Sequence, residues 1–496
     1  MGQLMGKRRA GVLCHLTSLP NRASTQPSFG TIGADAFQFV DFLAQHGFSV
    51  WQILPLGPTH PDLSPYLSLS AHAGNPQLID LLWLCKKGWL EASAIKNHSN
   101  FDREQQLALI ESAYDAFLQS DNDHQHSAFR SFCQQNSHWL DDYALFITLR
   151  KHFAGLIWNE WPTQFRDREP GSIAQFRTEH EAELNAIRFQ QFIFFSQWAE
   201  LKEYANEKSI LIVGDIPIFV AYDSAEVWSK RKYFSLDASG HAEFVAGVPP
   251  DYFSETGQRW GNPHYRWSEH RKDNFAWWRE RIQTQSTLYD AVRIDHFRGL
   301  HEYWAIAADE PTAVNGHWVP APGRALLQTL TQSFPHISFI AEDLGTITPE
   351  VTALRDEFNL PGMSILQFAF DGSPDNPYLP SNTSKNCLVY TATHDNDTTV
   401  AWFDALPDET KRFVYEVLPH QHEPMPWPMI QSVLESVADL AILPMQDILC
   451  LGAGNHMNFP GTTEDNWQWR FKWEQIDDAT VSKITSLISD TQRTQA

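Results

Sequence analysis

Eight short apolar segments, spread along the whole chain, constrain its fold more than any other feature. They occupy residues 10–16, 49–55, 210–219, 288–295, 336–343, 362–368, 386–395 and 442–448. Their nearly continuous hydrophobicity is typical of parallel strands that are covered on both faces. Helix-like stretches separate most of them, for example 35–46, 349–358 and 428–440. This alternation predicts an α/β fold of the (β/α)8 TIM barrel type.

Two intervals between the predicted strands are too long for a single connecting helix. Residues 56–209 contain amphipathic segments, above all the stretch 179–206, and are expected to form a mainly helical subdomain beside the barrel. Residues 220–287 contain many Gly, Pro and aromatic residues and are expected to form a loop-rich subdomain. We therefore interpret residues 1–496 as one barrel domain with two large insertions.

The charge and composition of the chain exclude several classes of partner. It has 37 Lys and Arg against 60 Asp and Glu, and the resulting net charge of -23 disfavours phosphate backbones and anionic lipid headgroups. We expect no nucleic-acid partner and no membrane, because no run of about 18 apolar residues predicts a spanning helix. The five cysteines lack C-x-x-C spacing, which fits a cytoplasmic location. The sequence does not indicate an oligomeric state.

Five of the eight apolar segments end in a carboxylate, at or just past the predicted strand. These residues are Asp215, Asp295, Glu342, Asp395 and Asp447. The carboxyl ends of barrel strands open on one face, where barrel enzymes carry their catalytic groups. A single acid at such a position is often a helix N-cap or a turn former. Five acids on the same face indicate a shared chemical role instead.

Carboxyl groups packed close together favour acid–base chemistry at a glycosidic bond. Their mutual repulsion raises the pKa of at least one, which places a protonated acid beside an ionised base at neutral pH. A retaining glycosidase holds two such groups about 5 Å apart, one as nucleophile and one as acid and then base. Arg293 and Arg298 flank Asp295 in the sequence and are expected to keep it ionised. Asp295 is therefore the better nucleophile candidate.

A metal site is the alternative explanation for some of these polar residues. His296, His394, Asp395 and Asp397 are ligand types found around divalent ions. However, no H-E-x-x-H or similarly spaced motif accompanies them, and His–Asp pairs also suit hydrogen bonding to sugar hydroxyls. The chain also lacks a Walker A pattern, a complete dinucleotide loop and a G-x-S-x-G elbow. We expect no metal and no cofactor.

Five longer motifs resemble one known family. They are GDIPIFVAYDSAEVW (214–228), VAGVPPDYFSETGQRWGNPHYRW (245–267), VRIDHFRG (292–299), AEDLG (341–345) and THDNDT (393–398). They closely resemble the amylomaltases, the 4-α-glucanotransferases of glycoside hydrolase family 77. The resemblance runs from GVLCHLTSLP at the start of the chain to MNFPGTTEDNWQWR near its end. The chain differs at Leu67, Leu69 and His72, where the family commonly has Gln, Phe and Phe.

The resemblance implies roles for individual residues. Asp295 corresponds to the family's nucleophile, Glu342 to its acid/base and Asp395 to the third carboxylate, which stabilises the transition state. The substrate-binding residues implied in the same way are Tyr66, Asp215, Tyr252, Phe253, Gln258, Trp260, Arg293, His296 and His394. Tyr252, Phe253, Gln258 and Trp260 correspond to a mobile aromatic loop, which is expected to be a substrate lid within 220–287.

The implied activity is the transfer of α-1,4-glucan segments between maltooligosaccharides or starch-type glucans, with a covalent glycosyl-Asp intermediate and release of glucose from small donors. A retaining hydrolase of the α-amylase type is one alternative, since it would use the same carboxylates with water as acceptor. The 252–260 loop argues against it, because a closing lid excludes water. A non-catalytic glucan-binding barrel is the other alternative. Mutually repelling carboxylates argue against that, since they bring no benefit to binding alone.

Overall fold

The computed structural model describes residues 4–21, 29–96, 103–250, 254–419, 422–462 and 464–494. Its strands are β1 (Arg9–Leu13), β2 (Val50–Gln52), β3 (Leu211–Pro217), β4 (Phe244–Val248), β5 (Gln258–Pro263), β6 (Ala291–Asp295), β7 (Glu302–Ala307), β8 (Gly316–Pro320), β9 (Ser338–Ala341), β10 (Gly362–Ile365), β11 (Cys387–Tyr390) and β12 (Leu440–Pro444). Eight of these strands form one sheet. Each overlaps one of the predicted apolar segments.

The eight-stranded sheet closes into a barrel. Its order is β10-β11-β12-β1-β2-β3-β6-β9, and every pairing within it is parallel. The two ends of this order meet where the backbone N–H of Ala341 donates to the carbonyl of Pro361 at 2.9 Å. The predicted (β/α)8 barrel is therefore confirmed.

Side chains alternate between the inside and the outside of the barrel, as the pleat of a strand requires. On β6, Val292 and Ile294 pack in the large outer core between the sheet and the helices. Ala291 belongs to the inner core, which fills the barrel. The alternation places Arg293 and Asp295 on the same inward face as Ala291, further toward the carboxyl end of the strand.

Helices fill most connections between the barrel strands. In chain order they are Ala34–Gln45 after β1, Ala225–Ser229, Trp267–Lys272 and Ala276–Leu288 between β3 and β6, Gly323–Ser333 before β9, Pro349–Glu357 before β10, Thr399–Ala405, Asp408–Val417 and Trp427–Glu435 between β11 and β12, and Met445–Ile448 and Asp478–Asp490 after β12. The β10–β11 connection contains two 3-10 turns, Leu366–Phe368 and Pro380–Asn382, instead of an α-helix.

The interval between β2 and β3 begins with loops and one 3-10 turn, Pro76–Leu78, and its described residues are mainly helical from Leu81 on. Its helices are Leu81–Lys86, Ala92–Lys96, Arg103–Leu118, Asp123–Gln135, Ser137–His152, Thr163–Arg166, Pro170–Glu179 and Glu181–Glu207. Two buried glutamines of the last helix fix the chain after β2, since Gln191 binds both the N–H and the carbonyl of Gly74, and Gln197 does the same with Asp80. Nowhere in the described ranges is a helix long and apolar enough to cross a membrane.

A second, four-stranded antiparallel sheet lies outside the barrel, with the order β5-β4-β7-β8. Strands β4 and β5 belong to the interval 220–287, where the sequence pattern indicates loops. Strands β7 and β8 follow β6 directly and form an insertion that the pattern did not indicate. Residues 244–247 of β4 pair with 304–307 of β7, so segments from both sides of β6 form one sheet.

Candidate active site

The register of neighbouring barrel strands brings a charged cluster together at the carboxyl end of β6. Asp215 of β3 is paired with Arg293 of β6, two residue pairs before Asp295. Glu342 follows β9, the strand on the other side of β6. These groups meet because parallel strands end on the same face of the barrel.

Arg293 bridges two carboxylates from a buried position. Its Nη1 donates to Asp215 Oδ2 at 2.5 Å, and its Nη2 lies 3.0 Å from Asp295 Oδ1. Burial alone lowers the pKa of Arg293, but Asp215 and Asp295 raise it well above its ordinary value. The arginine therefore stays charged and holds the Asp295 carboxylate in a fixed orientation.

Asp295 has a raised pKa in spite of this arginine. Burial is the largest cause and raises the pKa to about 6. The carboxylates of Asp215 and Asp395 also raise it, whereas Arg293 and His394 lower it. Asp295 is therefore mainly ionised at neutral pH. Its side chain is 30% exposed to solvent. An ionised, accessible and oriented carboxylate is suited to nucleophilic attack.

Glu342 has the larger shift of the two. Burial raises its pKa to about 8, and the neighbouring Asp295 adds to the rise, which outweighs the opposing effects of Arg293 and of two hydrogen bonds. Those hydrogen bonds come from the backbone N–H groups of His296 to Oε2 at 2.6 Å and of Leu344 to Oε1 at 3.1 Å. Glu342 is therefore protonated at neutral pH and can donate a proton, beside the ionised Asp295.

His296 connects these two acids through an unusual backbone conformation. It lies in the left-handed region, with φ 52°, which residues other than Gly adopt uncommonly. The turn comes directly after Asp295 and presents the N–H of His296 to Glu342. Burial lowers the pKa of the His296 ring to about 3, so the ring is neutral, and its buried Nε2 has no hydrogen-bond partner. Backbone strain of this kind clusters at functional sites.

Asp395 is on the loop after β11. Its Oδ2 lies 3.2 Å from His394 Nε2, and its Oδ1 accepts a hydrogen bond from Asn458 Nδ2 at 2.7 Å. Burial raises the pKa of Asp395, but His394, Asn458 and the more distant Arg293 outweigh it and lower the pKa to about 2. The side chain is 44% exposed to solvent. Asp395 is therefore an ionised, partly exposed carboxylate at neutral pH.

Tyr66 links the two sides of the site. Its hydroxyl donates to Asp215 Oδ2 at 2.8 Å and lies 2.9 Å from His394 Nε2. Its ring is stacked on the imidazole of His394, with 5.3 Å between ring centres and 13° between ring planes. The structure thus brings Tyr66, Asp215 and His394 into one hydrogen-bonded group with Arg293.

The implied lid residues are only partly described. Trp260, on β5, meets His296 edge to face with 4.8 Å between ring centres, and its indole N–H donates to Gln258 Oε1 at 3.0 Å. Strand β5 therefore covers the residue that follows Asp295. Tyr252 and Phe253 lie outside the described residues.

Two polar residues have different partners from those that the sequence pattern predicts. Arg298, expected beside Asp295, instead binds Glu302 at 2.7 Å and the carbonyl of Thr346 at 2.5 Å. Asp447, the fifth strand-end acid, is fully buried in the helix Met445–Ile448 and accepts hydrogen bonds from the side chain of Thr391 and from both the N–H and hydroxyl of Thr399. Asp447 therefore fixes the loop that carries Asp395.

Sequence reasoning missed two contributors to the site. Asn458 binds Asp395, and its backbone N–H also donates to the carbonyl of His394 at 3.0 Å. Trp467 packs against Tyr66 and His394, with ring centres 5.9 and 6.0 Å away. Both belong to the MNFPGTTEDNWQWR motif, whose position in the sequence gives no sign of this proximity. Among the described residues, no three His, Cys, Asp or Glu side chains form a group suited to a metal ion.

The site as a whole defines a class of enzyme. Three acids with different pKa values, Asp295, Glu342 and Asp395, lie at the carboxyl ends of barrel strands. Barrel enzymes place their catalytic groups on this face, and a protonated acid beside an ionised one is the pair that glycosidic bond cleavage requires. The fold and the site are those of a barrel enzyme that acts on glycosidic bonds.

Comparison with known proteins gives the family. The matching family model is that of glycoside hydrolase family 77, 4-alpha-glucanotransferase, over residues 14–476. A 4-alpha-glucanotransferase of Synechocystis sp. is 45% identical over 488 residues, 96% of each chain. That of Thermus thermophilus is 42% identical over 503 residues, 98% of this chain and 99% of the relative. The structure of an amylomaltase from Streptococcus agalactiae in complex with acarbose has a TM-score of 0.93 at 36% identity and covers 99% of this chain and 100% of its own.

The chain therefore belongs to glycoside hydrolase family 77, and its activity is that of a 4-alpha-glucanotransferase on alpha-glucans.

Proposed function

We propose that the enzyme transfers α-1,4-glucan segments in two steps with retention of configuration, through a glycosyl ester on Asp295. The observation that carries this proposal is the contrast between two neighbouring acids. The pKa of Asp295 is about 6 and that of Glu342 is about 8, so one is ionised and the other protonated at neutral pH. This is the division of roles that a retaining mechanism needs.

In the first step, the Asp295 carboxylate attacks the anomeric carbon of the donor sugar. The bond from that carbon to the glycosidic oxygen breaks, and Glu342 gives its proton to the departing oxygen. A maltotriose donor would release glucose in this step. Arg293 orients the nucleophile from 3.0 Å, and the negative charge of Asp395 stabilises the positive charge that develops on the sugar ring.

In the second step, the 4-hydroxyl of an acceptor glucan attacks the same carbon. Glu342, now ionised, takes the proton of that hydroxyl, and Asp295 leaves as a carboxylate. The new bond has the configuration of the old one because each step inverts it once. We assign the binding of the hydroxyls of the reacting sugar to the hydroxyl of Tyr66 and the ring of His394, because both belong to one hydrogen-bonded group with Asp215.

Transfer prevails over hydrolysis when water is kept from the intermediate. Trp260 and Gln258 lie on β5, where Trp260 contacts His296 and donates a hydrogen bond to Gln258, and we assign both to a cover that closes over an acceptor. Tyr252 and Phe253 belong to the same proposed lid. The substrates we propose are maltooligosaccharides and starch-type α-1,4-glucans, which agrees with the acarbose held by the S. agalactiae amylomaltase.

Incubation of the pure protein with maltotriose tests the proposal. Free glucose, total reducing ends and the ladder of oligosaccharides are followed over time. Transfer yields both shorter and longer glucans at a constant number of reducing ends. If reducing ends increase while no longer products form, the enzyme is a hydrolase of the α-amylase type. If maltotriose remains unchanged, the chain only binds glucans.

A further inference from the structure

Few backbone contacts close the barrel between β9 and β10. Every other pair of neighbouring strands in the sheet forms a parallel ladder. In the described ranges β9 and β10 form no such ladder, and their ends meet in the hydrogen bond from the N–H of Ala341 to the carbonyl of Pro361. We call this place the β9–β10 junction. Closure there needs further contacts, which side chains supply.

Asp343 supplies two of these contacts. Its Oδ1 accepts a hydrogen bond from the backbone N–H of Met363 on β10 at 2.8 Å. Its Oδ2 accepts one at 2.5 Å from Nη1 of Arg355, which lies on the helix Pro349–Glu357 between the two strands. The Asp343 side chain is 7% exposed, so water competes little for either bond. One carboxylate therefore joins the loop after β9 both to β10 and to the connecting helix.

Asp343 also lies within the hydrogen-bonding arrangement of Glu342. It follows Glu342 in the chain and precedes Leu344, whose N–H donates to Glu342 Oε1 at 3.1 Å. On the side of β6, the Glu342 N–H donates to the carbonyl of Ile294, and its carbonyl accepts from the N–H of Phe297. The backbone of Glu342 is thus fixed directly to β6. On the side of β10 it is fixed through its neighbour Asp343.

Gly362 shows how closely the ion pair at this junction is packed. A Cβ atom at position 362 would lie 2.6 Å from Asp343 Oδ2 and 2.7 Å from Arg355 Nη1. Both distances are far inside van der Waals contact. The glycine therefore leaves the space that the ion pair occupies. A methyl group at this position displaces the pair without removing a charge.

The nucleophile is held independently of this junction. Met363 Sδ lies 3.3 Å from Nε of Arg293, but a thioether sulfur is only a weak acceptor. The two other nitrogens of Arg293 bind Asp215 and Asp295 at 2.5 and 3.0 Å. A small displacement of β10 therefore leaves Arg293 between its two carboxylates.

We propose that Asp343 is a positioning residue for Glu342. By tying the backbone beside Glu342 to β10 and to Arg355, it keeps the acid within reach of the departing glycosidic oxygen. Proton transfer requires hydrogen-bond distance, so a loosened junction slows the steps that use Glu342 and leaves substrate binding unchanged. This inference rests on the proposed role of Glu342 as acid and base.

The test compares two donors of the same maltosyl group, maltotriose and α-maltosyl fluoride. The glucose that leaves maltotriose needs a proton from the acid, whereas fluoride leaves as an anion and needs none. Azide is present with both donors, because it attacks the intermediate without losing a proton and so bypasses the base in the second step. The products are maltosyl azide with glucose or with fluoride. Release of glucose or fluoride gives kcat and KM for each donor.

Two variants loosen the junction in different ways. In Asp343→Asn the amide oxygen can still accept from Met363, but the NH2 group faces the donors of Arg355. Gly362→Ala displaces the ion pair and keeps both charges, so it serves also if Asp343→Asn does not fold. General acid catalysis contributes about 10²–10⁴-fold, and for partial loss we expect kcat for maltotriose to fall about ten-fold in both variants. KM for maltotriose and kcat for maltosyl fluoride should stay within about two-fold of wild type.

Asp356→Asn is the first matched control. Asp356 is the other carboxylate that Arg355 binds, at 2.7 Å, but its side chain is 60% exposed and does not contact β10 through any described hydrogen bond. Its replacement should leave both donors unchanged.

Asp223→Asn controls for a general loss of stability. Asp223 is also a buried carboxylate that binds an arginine and a backbone N–H, those of Arg150 at 2.9 Å and Trp158 at 3.4 Å. Its replacement should lower the thermal midpoint, as Asp343→Asn does, and change both donors by the same factor.

Glu342→Gln separates this inference from the proposed mechanism. It should lose most activity on maltotriose and retain activity on maltosyl fluoride with azide. An equal loss for both donors in Glu342→Gln contradicts the proposed role of Glu342 itself. If Glu342→Gln discriminates between the donors but Asp343→Asn and Gly362→Ala affect both equally, or leave maltotriose turnover unchanged, the positioning role of Asp343 is overturned.

Discussion

The hydrogen bond from Asn458 to Asp395 gives a prediction whose size follows from the structure. The amide nitrogen lies 2.7 Å from Oδ1 of a carboxylate that stays ionised. A hydrogen bond to a charged group contributes about 1.5–3 kcal/mol. Because the Asp395 side chain is 44% exposed, water replaces part of the lost interaction, and we take the lower end of this range. A difference of about 1.4 kcal/mol is ten-fold in rate, so Asn458→Ala should lower kcat/KM about ten-fold.

The Asn458→Asp variant distinguishes the effect of an added negative charge beside Asp395 from the effect of losing the Asn458 hydrogen bond. The introduced carboxyl group would face Oδ1 of Asp395 in place of a hydrogen-bond donor. Two like charges this close cannot both remain ionised without a large rise in one pKa. We expect a loss of about 100-fold at neutral pH, clearly beyond that of Asn458→Ala. The difference in activity between Asn458→Asp and Asn458→Ala should become smaller at about pH 5, because the introduced carboxyl group takes up a proton there.

The assay is the initial rate of glucose release from maltotriose, measured between about pH 5 and 9 for both variants. Asp295 titrates in every variant, so its effect cancels when the initial rate of one variant is divided by that of another. Asn382→Ala is the control, since that amide bonds only to backbone carbonyls and a serine hydroxyl of its own loop. If Asn458→Asp equals Asn458→Ala at every pH, the amide does not hold the charge of Asp395 in place, and our reading of this contact is wrong.

Further predictions concern the acids and the lid. The pH profile of kcat/KM should be a bell: activity is lost below about pH 6, where Asp295 takes up a proton, and above about pH 8, where Glu342 loses one. A profile that stays flat from pH 5 to 9 contradicts these roles. Asp295→Asn should nearly abolish turnover while calorimetry shows maltooligosaccharide affinity within about ten-fold of wild type; near-normal turnover removes the nucleophile assignment. Trp260→Ala should weaken oligosaccharide binding and raise the ratio of hydrolysis to transfer, measured as reducing ends against longer products; an unchanged ratio rules out the lid role. Asp447→Ala should lower the free energy of unfolding by about 2 kcal/mol, because three hydrogen bonds lose their acceptor. Unaltered denaturant unfolding would contradict that structural role.

The barrel could be predicted because its strands have a strong local signal. A strand that is buried on both faces has a short apolar sequence whatever its neighbours are. Eight such segments along one chain are compatible with few folds other than a barrel. The inward direction of Arg293 and Asp295 also follows from the sequence, since residues two apart on a strand share a face. Strand order then brings Asp215 and Glu342 to either side of β6. This much of the candidate site follows from local rules.

The rest depends on contacts between segments far apart in the chain. Asn458 reaches Asp395 across 63 positions, and no periodic pattern connects their loops. Arg298 is three residues from Asp295, yet the 3-10 turn Phe297–Leu300 directs it to Glu302 instead. Asp447 is an acid at the end of an apolar run, as Asp215 is, but it falls in a short helix whose neighbours are threonines. Residue type and spacing in the sequence therefore do not show which of these side chains reach the active site.

The antiparallel sheet has a consequence for engineering. Its outer strand β5 carries Trp260, but β5 is held through β4 to β7, which belongs to the connection on the other side of β6. The strand that carries Trp260 over His296 is thus held in place by two insertions, which β6 separates in the sequence. Exchanging the 220–287 segment alone for that of a relative would pair a foreign β4 with the native β7. A loop exchange that preserves this sheet therefore requires both insertions to be moved as a pair.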